Sequence, residues 1–177
     1  DAFVQSPEQQ AQFVDKSKAR IFVGDPLLYW RLTPGLVNAR WDRNLVTTNA
    51  QGLRYPTAVG RKRPGTVRIA CFGDSVTFGF GVPLLPDGAS PTDLDPSRKP
   101  YSALMEEWLR AANPGRSIEV IPYAVPGYSS HQGLAWMARE AASIDADVVT
   151  ACFGWNDIGR RNITDSDTMP TSRLNVL

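Results

Sequence analysis

Thr66-Val67-Arg68-Ile69-Ala70-Cys71-Phe72-Gly73-Asp74-Ser75 is the stretch on which the fold turns. Val67 to Phe72 is a short, mainly apolar run closed by Gly73 and a polar pair, as expected of a buried strand ending at a turn. Its last four residues return as Ala151-Cys152-Phe153-Gly154, now followed by Trp155-Asn156-Asp157. Between the two copies, Tyr101, Leu104, Met105, Trp108 and Leu109 recur at helical spacing, and Asn113-Pro114-Gly115 stops the run. Ile118 to Tyr123 reads as a second strand and Asp147 to Phe153 as a third. Leu134, Met137, Ala138, Ala141 and Ala142 set the face of the helix between them. Strand, helix, strand, helix, strand predicts right-handed βαβ units and a parallel sheet.

Upstream of Thr66 the pattern is different. Ser6-Pro7-Glu8-Gln9 has the capping residues of a helix start, and a helix over about Pro7 to Ala19 is expected. Short extended pieces follow at Leu27 to Leu32 and Leu45 to Thr48, divided by Pro34-Gly35 and Asp42. Residues 1–65 thus read as an α+β lead-in packed on a main domain that begins at 66. After the first strand, Val82 to Lys99 is rich in Pro, Asp and Ser, a long connection that is either functional or a surface insertion.

Composition narrows the function. With 177 residues, 42% hydrophobic and 21% charged, the chain has a globular make-up. Nineteen basic against eighteen acidic residues give no electrostatic reason to expect nucleic acid as a partner. No apolar stretch approaches the ~20 residues of a membrane span. Two cysteines and one histidine do not make the usual structural metal sites, so no cofactor is expected. The sequence starts at Asp1 without a signal-like segment, which reads as a processed or excised chain and leans to a secreted or periplasmic protein.

The three strand ends carry the candidate chemistry. In an open α/β sheet, ligands bind outside the carboxyl ends of the strands where the strand order reverses. Ser75 sits on a tight strand-to-helix turn, a position suited to a nucleophile. Its N–H, that of Gly127 in Ala124-Val125-Pro126-Gly127-Tyr128-Ser129, and the amide of Asn156 could converge on an oxyanion. Asp74 and Asp157 have local alternatives as helix caps, Asp157 for the segment Ile158 to Arg161. Both cysteines read as small buried strand residues. The tryptophans (Trp30, Trp41, Trp108, Trp136, Trp155) read mostly as core, with Trp155 the best placed to line a pocket.

These blocks resemble the SGNH (GDSL-type) hydrolases. Gly73-Asp74-Ser75-Val76-Thr77-Phe78-Gly79 is similar to the first block of that family, Tyr123 to Ser130 to the second, and Gly154-Trp155-Asn156-Asp157 to the third. Asn49-Ala50-Gln51-Gly52-Leu53-Arg54 also resembles a segment preceding the domain in some members. The resemblance implies a flavodoxin-like three-layer αβα sandwich and ester hydrolysis, with Ser75 as nucleophile and Ser75, Gly127 and Asn156 as oxyanion donors. It implies that the first and third strands are neighbours, which brings Cys71 and Cys152 near each other as free thiols. Thr77 stands where the Gly-x-Ser-x-Gly elbow of α/β-hydrolases has its last Gly.

The family's Asp-x-x-His motif is not found after Asn156, and the strand pattern stops at three. The domain is therefore expected to be incomplete in this chain. Its Asp-His pair would come from a C-terminal segment or a second polypeptide, which would also cover the Asp147 to Phe153 edge. Thr164 to Leu177 has the composition of an exposed loop. His131, the single histidine, is the one substitute base in the sequence, or else a contact at the pocket rim. The leading expectation is a serine esterase acting on an acyl or acetyl ester. Its rivals are a ligand-binding module of the same fold that lacks a base, and a flavodoxin-like nucleotide binder. The latter is disfavoured because no phosphate-binding Gly motif follows a strand.

Overall fold

The computed structural model describes residues 21–42, 44–82 and 97–158. The expected helix over 7–19, most of the 82–99 connection and the 164–177 stretch lie outside them.

The lead-in holds two antiparallel hairpins rather than isolated extended pieces. β1 (Phe22–Asp25) pairs with β2 (Tyr29–Leu32), and β3 (Ala39–Trp41) with β4 (Asn44–Val46). Asp25 closes the first hairpin by accepting the N–H groups of Leu27 (3.0 Å) and Leu28 (2.9 Å). Leu28, Leu32, Trp41 and Val46 point inward and join Ala70, Phe72, Ile121 and Trp136 in one continuous hydrophobic cluster.

The main sheet is parallel, with strand order β6-β5-β7. β5 (Thr66–Gly73) is central, β6 (Ser117–Ala124) flanks one side and β7 (Val148–Cys152) the other. The helices are α1 (Ser75–Phe78), α2 (Tyr101–Ala112), α3 (Ser130–Ile144) and α4 (Trp155–Ile158). The chain runs from β5 outward to β6, then back past β5 to β7. With right-handed crossovers, α2 and α3 fall on opposite faces. Cys71, Ile118 and Val120 pack with Met105 and Leu109 on the α2 side, while Phe72, Ile121 and Tyr123 pack with Trp136 on the α3 side. The result is the three-layer, flavodoxin-like α/β arrangement. Its strand order reverses at β5. Register then fixes the rim: Gly73 lies opposite both Ala124 and Cys152, so all three strands end at one level.

Buried polar groups lock the opposite end of the sheet. Arg68, 2% exposed, donates to Glu119 (2.7 Å) and to the Ile144 carbonyl (2.7 Å), while its own N–H is held by Asp147 (2.8 Å). On the outer edge of β6, Glu106 of α2 accepts the Val120 N–H (2.7 Å), satisfying a donor that has no strand beside it among the described residues.

Several sequence expectations are corrected. In α3 the buried residues are Gln132, Gly133, Trp136 and Ile144, while Leu134, Ala138, Ala141 and Ala142 are exposed. Gln132 donates to the Leu28 carbonyl of the lead-in (2.9 Å), and Trp136 packs on Tyr128 and Tyr123 of the main domain, which turns that side of the helix inward. Trp108 is not core: it is exposed, because α2 buries Ser102 and Glu106; Trp155, expected to line a pocket, is exposed as well, on α4, which buries none of its residues. Cys71 is buried but Cys152, at the end of an exposed strand, is not; both are free thiols.

Candidate active site

Building the rim starts at Gly73. A β-carbon there would lie 2.0 Å from the Thr77 Oγ1 and 2.9 Å from the Cys152 carbonyl, so only glycine lets the strand turn so tightly into α1. Asp74 is the N-cap of α1 and is 2% exposed. One of its carboxylate oxygens accepts the Val76 N–H (2.9 Å) and the other accepts from the Asn156 amide (3.3 Å). Ser75 follows as the first helical residue, partly exposed at the C-terminal end of β5. The single turn closes at Gly79, whose φ of 78° is left-handed, and Phe80 donates back to the Ser75 carbonyl (2.9 Å).

The second loop is carried by β6. Val125 donates to the Gly73 carbonyl (3.3 Å), joining it to the first loop. Gly127 has φ 85°, and a β-carbon there would come within 3.3 Å of the Trp30 ring. Trp30 in turn donates its indole N–H to the Pro126 carbonyl (3.3 Å) and stacks edge-on to Tyr128. Tyr128 is fully buried, and burial pushes its phenol well above the usual range. Ser129 opens α3 with a reciprocal capping box to Gln132.

The third loop supplies Asn156 and Asp157 from α4. Asn156 donates to the Tyr128 carbonyl (2.9 Å) as well as to Asp74, so one side-chain amide ties all three loops together. Of the Ile158 to Arg161 segment that it was expected to cap, only Ile158 is among the described residues, and Asp157 has partners on another helix. It accepts the N–H (3.0 Å) and hydroxyl (2.9 Å) of Ser130, and so caps α3 across the rim, where the orphan donors of a longer helix are available. His131 is exposed on the first turn of α3.

Ser75, Gly127 and Asn156 are therefore brought to one rim, at the ends of β5, β6 and β7, where the strand order reverses. Trp155 lies at that rim but stands out into solvent, 78% exposed. Two contributors escaped the sequence reading. Trp30 braces the Gly127 loop, and nothing in its local pattern marks it. Arg54 sends its guanidinium to the carbonyls of Phe78 (2.8 Å), Gly79 (3.0 Å) and Val82 (2.7 Å). The glycine-bearing turn before it was the available signal. Among the described residues no group of three or more His, Cys, Asp and Glu side chains is arranged to hold a metal ion.

The molecule is thus an α/β protein with a parallel sheet whose strand ends bring a serine turn and an asparagine amide to one rim at the switch point. Residues 71–173, more than half of the chain, match the GDSL-like Lipase/Acylhydrolase family, and the chain belongs to that family. The membership assigns it a general esterase or acylhydrolase function. No curated protein matches the chain.

Proposed function

We propose that the protein is a serine esterase that hydrolyses an acyl or acetyl ester. Ser75 Oγ attacks the ester carbonyl, giving a tetrahedral oxyanion, and collapse expels the alcohol to leave an acyl-serine that water then hydrolyses. The oxyanion is received by the N–H groups of Ser75 and Gly127 and by the Asn156 amide. Asn156 keeps its 2.9 Å bond to Tyr128, and the hydrogen shared at 3.3 Å with Asp74 is the one that turns to substrate. The observation that carries this reading is the Asn156 amide itself, joined at once to the neighbour of Ser75 and to the neighbour of Gly127.

A proton acceptor must activate Ser75. We assign it to an Asp-His pair from a C-terminal segment or second polypeptide seated beside β7. All five residues of that strand are exposed, and Val148 and Val149 present apolar side chains, an edge that soluble proteins cover. His131, exposed on the first turn of α3, is the one other candidate base in these 177 residues, and the second reading is the same fold used as a binding module without a base.

A fluorophosphonate probe separates the two. On the esterase reading it forms a covalent adduct that peptide mapping places on Ser75, and Ser75→Ala abolishes it. Absence of any adduct on the intact protein favours the binding module. Intact-mass analysis of purified active material then shows whether a longer chain or a second polypeptide accompanies residues 1–177.

A further inference from the structure

We propose that Arg54 is a positioning residue for the nucleophile turn, gripping the carbonyls that close the helical turn beginning at Ser75. The inference rests on Ser75 being the nucleophile. α1 is one turn long, and an isolated turn is far too short to hold its own geometry in water. Its start is fixed by the Asp74 cap. At its end, the Gly79 carbonyl accepts the Val82 N–H (3.0 Å), and the carbonyls of Phe78, Gly79 and Val82 all accept from Arg54. The same guanidinium reaches the Leu45 carbonyl (3.2 Å) on β4 and lies 4.7 Å from the Phe78 ring centroid. No carboxylate pairs with it among the described residues, and burial pulls it down to about 10, still cationic at neutral pH. The planar, rigid fork of a guanidinium loses little side-chain freedom per bond made, so one Arg54 side chain can hold four backbone carbonyls in fixed relation. Asn44 adds a second hold on the same loop by accepting the Gly81 N–H (2.6 Å).

The presentation of Arg54 is itself built. Asn49 accepts the N–H groups of Gln51 (2.9 Å) and Leu53 (3.0 Å), and its amide donates to the Thr57 carbonyl (2.7 Å). Gly52 has φ 78°, and a β-carbon there would fall 2.6 Å from the Leu32 carbonyl. Asn49 to Arg54 is therefore a rigid turn whose last residue reaches the loop that follows the nucleophile. Ser75 is pinned from both sides: Asp74 fixes the entry to its turn and Arg54 fixes the exit.

The test uses the full-length protein and fluorophosphonate labelling, which reports kinact and KI at Ser75 separately. Arg54→Gln and Arg54→Lys are compared with Leu36→Ala, which removes a buried lead-in side chain without touching these carbonyls. All are assayed well below their own melting temperatures. The expected result is a fall in kinact of ~10–100-fold for Arg54→Gln, the scale for sub-ångström to ångström misplacement of a reacting group, with KI within about threefold. Arg54→Lys should recover part of the loss, and guanidinium ion at non-denaturing concentration should recover part of the Arg54→Gln loss. Leu36→Ala should keep its kinact despite a lower Tm. Wild-type kinact in Arg54→Gln overturns the proposal while leaving Ser75 as nucleophile. So does a kinact that merely tracks Tm in all three variants. If Arg54→Gln does not fold, Arg54→Lys against Leu36→Ala carries the comparison alone. Wild-type protein that labels at a residue other than Ser75 overturns the nucleophile reading, and this inference with it.

Discussion

Replacing Asn156 by aspartate removes a donor and inserts a charge next to another carboxylate, and the two effects separate by pH. In the native protein the Asn156 amide lies 3.3 Å from an Asp74 oxygen and 2.9 Å from the Tyr128 carbonyl, so both neighbours are acceptors. Asn156→Asp would set an introduced carboxylate against two oxygen atoms with no proton between them. Two unit charges at that separation repel by about 5 kcal/mol at an effective dielectric of about 20. Asn156 is only partly buried, and solvent screening brings the cost to about 2–3 kcal/mol. The folded protein relieves that cost by keeping a proton on the introduced carboxyl, which should titrate near ~6 rather than near ~4. A carboxyl whose folded-state value is raised binds protons more tightly folded than unfolded. Stability is therefore retained below about pH 4 and lost as pH rises through about 6. Asn156→Ala has no such group and should show a pH-independent offset from wild type.

The assay is urea unfolding of wild type, Asn156→Ala and Asn156→Asp between pH 4.5 and 8, followed at each pH by hydrolysis of a small aryl ester. Asn156→Asp should lie close to Asn156→Ala at pH 4.5 and fall below it by about 2 kcal/mol at pH 8. Asn156→Ala should lower kcat by ~10²–10³, the range for one oxyanion donor, with little change in KM. A constant gap between the two variants across the pH range would mean that no carboxylate stands beside Asn156. The bond joining the first and third loops would then be wrong.

Three further outcomes are expected. Ser75→Ala should remove nearly all ester hydrolysis while leaving the unfolding free energy within about 0.5 kcal/mol of wild type, and retention of a tenth of the activity would refute its assignment. Gly73→Ala should destabilise by about 2–3 kcal/mol, because the new β-carbon meets Thr77, which is fully buried, and the backbone at Cys152; a loss under about 0.5 kcal/mol would contradict the close approach of β5 and β7. Asp25 sits in a buried place that works to raise its pKa, yet the N–H groups of Leu28 and Leu27 and the Arg139 guanidinium hold it below the usual carboxylate range. Its contribution is present above the ordinary carboxylate value and lost as pH falls through the depressed one. Asp25→Asn should therefore flatten the acid side of the stability profile, checked by urea midpoints at pH 3 and pH 6.

The strands were legible because their signals are local. Val67 to Phe72, Ile118 to Tyr123 and Asp147 to Phe153 are apolar runs bounded by glycine, proline or acidic residues, and the structure places strands at each. The exposed faces of α2 and α3 were not legible, since periodicity finds an apolar face without saying what lies against it. Leu134, Ala138 and Ala141 make such a face on α3, yet the lead-in packs on the side of Gln132, Gly133 and Trp136 instead. Gly133 explains part of the choice: a β-carbon there would fall 2.4 Å from the Phe153 ring, so α3 is set by its closest approach to the end of β7 and not by its most apolar stripe. β1 was missed for a related reason, because Gly24 and Asp25 look like turn residues until β2 pairs with them.

At the rim, residue types and the rule for doubly wound sheets placed Ser75, Gly127 and Asn156 together, but they could not show what holds them there. The holding groups are long-range and polar. Asp74 reaches Asn156 across 82 positions in sequence, Asp157 reaches Ser130 across 27, and Tyr128 and Trp30 meet across 98. A cap reading of an aspartate looks a few residues ahead, so it finds Val76 for Asp74 and misses the amide on the far loop. Arg54 is the extreme case. Its partners are backbone carbonyls, which carry no side-chain identity, so no pattern in the sequence pairs Arg54 with Phe78, Gly79 and Val82. The family thus announces itself through the few motif residues at the strand ends. The bonds that hold the rim come in part from a lead-in whose Asn49, Gly52 and inward-turned Arg54 become meaningful only once the chain has folded back on itself.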